Sequence, residues 1–407
     1  MSSQFRQVAS AAAPSEVTRV TRGASLEASD SGSTPARLPR RSTGRGVLKI
    51  AAFFILVGAI AVVLNAAVNF GLKRITVSKF GALNQVMSGQ VNAEILISGS
   101  SRALSHYDPR ILQNLTGRSA YNIGQNASQI DFELVFLKTY LDHAAKKPGL
   151  VIQNLDLFSF ETTKKSELYD PGLYIPYLDD SNLYQFIQQK EPDAWKCRYL
   201  PLYGYAVEDM RFTWVWGLLR CAGVQGPEDY FQGFNPRRAT WNADFDSFRA
   251  GNLSGVSYRI EPEGVKCLED LISLCQKNGI QIILVYSPEY YEMQKLERNR
   301  KEIMEKFHEV SEQFKVPLWD YSGSPISSQQ NYFNNSEHLN GEGAEVFSQD
   351  LAQRLVTEFP QWAVRSATAD AGSGSSPVHG AKQGEEAMPG PDVFRTAGKT
   401  TESEAPR

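Results

Sequence analysis

Residues 93–102 read Ala93-Glu94-Ile95-Leu96-Ile97-Ser98-Gly99-Ser100-Ser101-Arg102, and this stretch decides the fold. Its unbroken apolar run predicts a short strand buried on both faces, the kind found in parallel sheets. Gly99 ends the strand, so the hydroxyls of Ser100 and Ser101 fall on a strand-to-helix turn. A backbone N–H on such a turn can face a developing oxyanion, which makes the turn a candidate site. Asp108-Pro109 then caps a helix, with Pro at the first helical position.

The same rhythm extends outward. Residues 119–123 predict a second strand stopped by Gly124, residues 129–143 a helix, and residues 150–154 a third strand. After a break it resumes with an amphipathic helix over 262–278 closed by Gly279, and a β-branched strand over 280–286. A charged helix over about 288–314, a strand over 316–320 and a last helix over 340–358 complete it. Strands alternating with helices give an α/β domain over about 90–360, a mostly parallel sheet flanked by helices. Chemistry in such folds sits beyond the carboxyl ends of the strands. Between about 161 and 255 the rhythm is lost, in a stretch holding Trp195, Trp214, Trp216 and Trp241. It reads as an inserted subdomain whose aromatics form their own core. The alternatives are a platform for sugar rings or a contact surface near the membrane.

Residues 50–72 contain no charge. About 20 apolar residues cross a hydrocarbon core, so one transmembrane helix is expected there. Arg37, Arg40, Arg41, Arg45 and Lys49 precede it, against Lys73, Arg74 and Lys79 after it. That bias puts the N-terminus on the cytoplasmic side and the main domain outside the cytoplasm, periplasmic or at the cell surface. The flanking tails, 1–46 and 366–407, are polar and poor in aromatics, a composition that predicts disorder.

The formal net charge of −3 and the lack of a long basic stripe give no case for a nucleic-acid partner. No CxxC occurs among the four cysteines, so a thiolate metal site has no support, and no cofactor is indicated. Cys197 and Cys221 are free to pair in an oxidising compartment, though nothing in their spacing demands it.

Four blocks fall at one edge of the expected sheet: Gly99-Ser100-Ser101-Arg102, Asn122-Ile123-Gly124, Gln153-Asn154-Leu155-Asp156 and Asn335-Ser336-Glu337-His338. Alone, each is ordinary. A Gly-Ser-Ser turn is common, and a His ahead of a helix is often a cap or a surface residue. Together they give Ser, Gly, Asn and His in chain order. In that order the chain resembles the SGNH, or GDSL-like, hydrolase superfamily over about 93–358, and most of all its membrane-anchored branch. The resemblance implies a flavodoxin-like α/β fold. It implies that Ser101 is the nucleophile, His338 the general base, and Gly124 and Asn154 the oxyanion donors. It further implies an esterase or O-acyltransferase acting on acyl esters of envelope polysaccharides, or on a small acyl ester, beside a multi-pass membrane acyltransferase.

One position departs from the pattern. Asn335 stands where the family carries the Asp that orients the imidazole, and an amide brings no charge to steady imidazolium. Asp156 and Asp320, at strand ends, are the substitute carboxylates to consider. The alternative is a catalytically silent envelope protein that binds glycan or a membrane partner. Arg102 is expected to hold an anionic substrate group or to pair with Asp108, and His106 to cap the helix after it.

Overall fold

The computed structural model describes residues 43–76, 78–206, 212–224, 230–242 and 244–364. Residues 1–42 and 365–407, nearly all of both tails, lie outside them. The first helix, α1, spans Thr43–Lys73 and is long and apolar enough to cross a membrane. It starts inside what the composition reads as tail, because extending a helix already nucleated by an apolar run costs little.

A short helix α2 (Ser78–Met87) leads to strand β1 (Ile95–Ser98), followed by α3 (Ser101–His106) and α4 (Pro109–Thr116). Next come β2 (Ala120–Asn122), α5 (Ile130–His143) and β3 (Leu150–Leu155). The aromatic-rich stretch supplies α6 (Ser181–Lys190), α7 (Ala194–Tyr199), α8 (Thr213–Cys221) and α9 (Asp244–Gly251). The chain then runs through α10 (Pro262–Lys277), β4 (Gln281–Tyr286), α11 (Tyr291–Gln294), α12 (Arg300–Phe314), β5 (Leu318–Asp320) and α13 (Gly341–Glu358).

The strands form one sheet in the order β2-β1-β3-β4-β5, with every neighbouring pair parallel. This is the flavodoxin-like order, whose direction of winding reverses between β1 and β3, and ligands bind at that switch point. Side chains alternate along β1. Leu96 faces a core shared with Phe136 of α5, Leu271 of α10 and Phe307 of α12. Ile95 and Ile97 face the opposite core, with Leu112 of α4 and Phe347 and Leu351 of α13. Burial on both faces is what a run of consecutive apolar residues requires.

Three expectations need correction. The charged segment 288–314 is not one helix. Around Glu297 the backbone bonds to Val256 instead, through Val256 N–H to Leu296 O (2.7 Å) and Arg298 N–H to Val256 O (2.9 Å). Arg300 then draws Glu289 and Glu297 inward, at 2.9 and 2.6 Å, so the helix restarts only there. A further helix, α3, stands immediately after Ser100, whose side chain accepts the Arg102 N–H as its cap. Finally, among the described residues the inserted stretch shows no separate aromatic core. Its buried Tyr174, Leu183 and Phe186 join the core under α5, while Trp195, Trp214 and Trp216 stay exposed. The four cysteines are unpaired, Cys197 and Cys221 included.

Candidate active site

The end of β1 holds the first half of the site. Gly99 takes φ +140°, and a Cβ there would lie 2.9 Å from both the Ala103 and Asn154 Cβ atoms, so only glycine fits the turn. The chain therefore turns sharply into α3 with Ser101 at its first position. An N–H at that position has no acceptor within the helix and is left for a ligand.

The loop before α13 brings the second half. Asn335 Oδ1 accepts the backbone N–H groups of Glu337 (3.1 Å) and His338 (2.8 Å), which identifies that atom as the oxygen. The same oxygen lies 3.0 Å from His338 Nδ1, so Nδ1 carries the proton. Nε2 is then an acceptor, and it lies 2.8 Å from Ser101 Oγ. Burial holds the His338 imidazole well below its ordinary pKa, helped by the positive charges of Arg237 and Arg102. It is a neutral base facing a hydroxyl.

A second histidine stands behind the first. His106 Nε2 accepts the Leu339 N–H at 3.0 Å, so its Nδ1–H donates to Ser287 Oγ, also at 3.0 Å. The two imidazoles meet edge to face, 6.2 Å apart. His106 is therefore not a helix cap. Asp108 caps α4 with its own side chain, and His106 anchors the loop that carries His338.

Arg102 is buried, and its partner is Asp156 (3.2 Å) rather than Asp108, which pairs with Arg110. Arg102 also donates to Ser287 O, and Ser100 Oγ donates to Asp156 Oδ2 at 2.5 Å. This knot joins the ends of β1 and β3 and the segment after β4. Neither Asp156 nor Asp320 replaces the missing carboxylate. Asp156 is taken by Ser100 and Arg102, Asp320 accepts the Ser322 N–H, and Nδ1 of His338 is already met by Asn335.

The remaining expected residues sit behind this line. Gly124 N–H donates to Asn122 Oδ1 at 2.9 Å, and a Cβ on Gly124 would fall 2.6 Å from the Leu104 N of α3. Asn154 is fully buried, with Oδ1 accepting the Tyr107 hydroxyl at 2.7 Å and Nδ2 directed to Asp156. In this conformation, then, neither presents a free donor beside Ser101.

A small cavity opens on Ser101 and His338, with Arg102, Glu289, Glu297 and Glu337 in its wall and about 20 Å³ of room, enough for about one water. These glutamates lie far apart in sequence from Ser101, and only the fold assembles them. Burial pushes the Glu337 carboxyl up to about 7 and raises the Glu297 carboxyl as well, with the Glu289 charge adding to both. Of these glutamates only Glu337, immediately before His338, is marked out by its place in the sequence. Among the described residues no group of His, Cys, Asp and Glu side chains is placed to hold a metal ion.

No family model matches the chain, and no curated protein matches it. Several solved structures are similar to it. They include a candidate acylhydrolase from Bacteroides fragilis, at 12% identity and TM-score 0.31, matched over 64% of this chain and 87% of that one. A candidate lipolytic protein of the G-D-S-L family from Desulfitobacterium hafniense matches at 10% identity and TM-score 0.32, over 64% and 99% of the two chains. A GDSL-like lipase from Bacteroides thetaiotaomicron matches at 10% identity and TM-score 0.30, over 64% and 87%.

Proposed function

We propose that this chain is a membrane-anchored serine esterase or O-acyltransferase acting on acyl esters of envelope glycans. The observation that carries the reading is the line of hydrogen bonds from Asn335 through His338 to Ser101 Oγ. Such a line makes a hydroxyl nucleophilic, because the base takes its proton as the new bond forms. Ser101 Oγ attacks the acyl carbon and its proton passes to His338 Nε2. The tetrahedral oxyanion meets the Ser101 N–H, with Gly124 N–H joining once Asn122 Oδ1 releases it. Collapse expels the alcohol, which takes the proton from Nε2 and leaves an acyl-serine. Water, or a glycan hydroxyl, then gives its proton to Nε2 and attacks the acyl carbon; the second collapse releases the acid or the transferred ester, and Ser101 Oγ takes the proton back from Nε2.

In this reading α1 holds the domain outside the cytoplasm with its N-terminus inside, beside a multi-pass membrane acyltransferase as donor. Incubation of the full chain in detergent with an activated acetyl ester and a serine-directed fluorophosphonate tests it. Turnover and labelling that vanish in Ser101→Ala are expected. Their absence in the native chain overturns the proposal.

A second reading has one observation in its favour: Asn335 supplies geometry without charge. A silent binding protein of the same fold would keep the hydrogen-bonded line and lack turnover, and would bind glycan equally well as Ser101→Ala.

A further inference from the structure

We infer that α8 and the aromatic surface beside it rest in the phospholipid headgroup zone, on the domain's side of the membrane that α1 crosses. The inference rests on the reading of α1 as a membrane span.

The depth of α8 follows from its contact with α1. The last turns of α1 are embedded in the domain: Val68 and Leu72 are buried, Asn65 Oδ1 accepts the Leu202 N–H (3.0 Å), and Asn69 Oδ1 accepts the Tyr205 hydroxyl. Helix α8 packs along these turns with its backbone against theirs. A Cβ on Gly71 would fall 1.7 Å from Gly217 O, and one on Gly217 would fall 2.7 Å from Val68 O. Counted from Ile50, the first residue after the charge of Lys49, about 20 residues at 1.5 Å each take the chain across the hydrocarbon core. That places the exit near Asn69, so a helix touching residues 68–71 stands at the edge of the hydrocarbon.

The side chains agree with that depth. The sequence of α8 is Thr-Trp-Val-Trp-Gly-Leu-Leu-Arg-Cys, with Arg220 its only charge. Trp214 and Trp216 are 42% and 49% exposed, and Leu219 is exposed with them. Trp195, Tyr199 and Leu200, on and just after α7, are exposed as well, next to the loop held by Asn65. Trp and Tyr favour the membrane–water boundary, where the ring is sheltered and its polar edge stays wet. Where α1 leaves the membrane, an open cavity of about 380 Å³ is lined by Lys73, Arg74, Arg220, Asn84 and Gln85. Cations and amides at that level suit lipid phosphate. An exposed apolar face continuous with an anchor meets lipid before any other partner, which favours the bilayer over a protein as its occupant.

The test uses the full chain in nanodiscs of phosphatidylglycerol and phosphatidylethanolamine, with a spin-label quencher on the lipid near the headgroup and iodide in the water. Flotation after alkaline wash comes first. A chain that washes off the lipid overturns the span, and this inference with it. For a chain that stays, the lipid quencher is expected to remove a larger share of emission from the native protein than from Trp214→Phe/Trp216→Phe. Iodide is expected to remove a smaller share. If Trp214 and Trp216 are quenched by iodide and not by lipid, α8 faces water and the inference fails. If they are shielded from both, a protein covers the face and the inference fails equally.

Discussion

Asn335 Oδ1 lies 3.0 Å from His338 Nδ1 while also accepting two backbone N–H groups of the same turn. Three donors converge on one amide oxygen, so the amide cannot flip without losing two backbone bonds. The orientation and tautomer of His338 are set as a carboxylate would set them. What the amide lacks is charge, and the predictions turn on that difference.

Replacing either end of the line removes the proposed chemistry. Ser101→Ala and His338→Ala are each expected to lower kcat for an activated acetyl ester by about 10³-fold or more, with KM little changed, since in serine hydrolases these groups act as one unit. Steady-state kinetics on both variants and on the double variant checks this. The double variant should lose no more than either single one.

Asn335→Asp places a carboxylate against Nδ1 without moving it, and is expected to raise turnover by about 10²- to 10⁴-fold. Burial, Arg237 and Arg102 hold His338 low, and a negative neighbour favours imidazolium, so its pKa rises. The acid limb of the kcat/KM profile should move to higher pH in the variant. An unchanged limb with unchanged turnover would separate Asn335 from the base.

The cavity carboxyls make stability depend on pH. Burial pushes the Glu337 carboxyl up to about 7 and the Glu297 carboxyl above its ordinary value of 4.5 in the folded chain. A raised carboxyl pKa gives stability that is complete below the unfolded value and is lost as pH rises through the folded one. Between the unfolded and folded values the loss approaches about 1.4 kcal/mol per pH unit for each group. Denaturant melts between about pH 5 and pH 9 should show a falling midpoint, and Glu337→Gln with Glu297→Gln should flatten the trend.

His106→Phe leaves the Leu339 N–H without its acceptor in a buried place, which costs about 1–3 kcal/mol, and takes one hydrogen-bond partner from the Ser287 hydroxyl, which keeps Tyr107. Because His106 holds the loop of His338, kcat should fall more than stability alone explains. His106→Gln, which can supply both an acceptor and a donor, should restore part of it. Denaturation midpoints and kcat measured together separate the two effects.

Much of this molecule follows from local sequence. The runs Ile95-Leu96-Ile97 and Gln281–Tyr286 are strands because only a sheet covered on both faces buries so many consecutive apolar side chains. The uncharged run of α1 reads as a span by length alone, and Ser101 and His338 stand out because each follows a strand or precedes a helix at one edge. Other features depend on partners far away in the chain. The insert shares the main core because Phe186 reaches Phe132, a contact no local pattern encodes. Arg102 meets Asp156 and not the nearby Asp108 because β1 and β3 are neighbours in the sheet. His106 meets Leu339 across 233 positions, and Ser101 meets His338 across 237. Sequence by itself determined which residues carry hydroxyl, imidazole and apolar surface. Only the tertiary structure decided which of them touch, because hydrogen bonds act over about 3 Å, and the parallel sheet together with the loop that His106 anchors brings those groups within that distance.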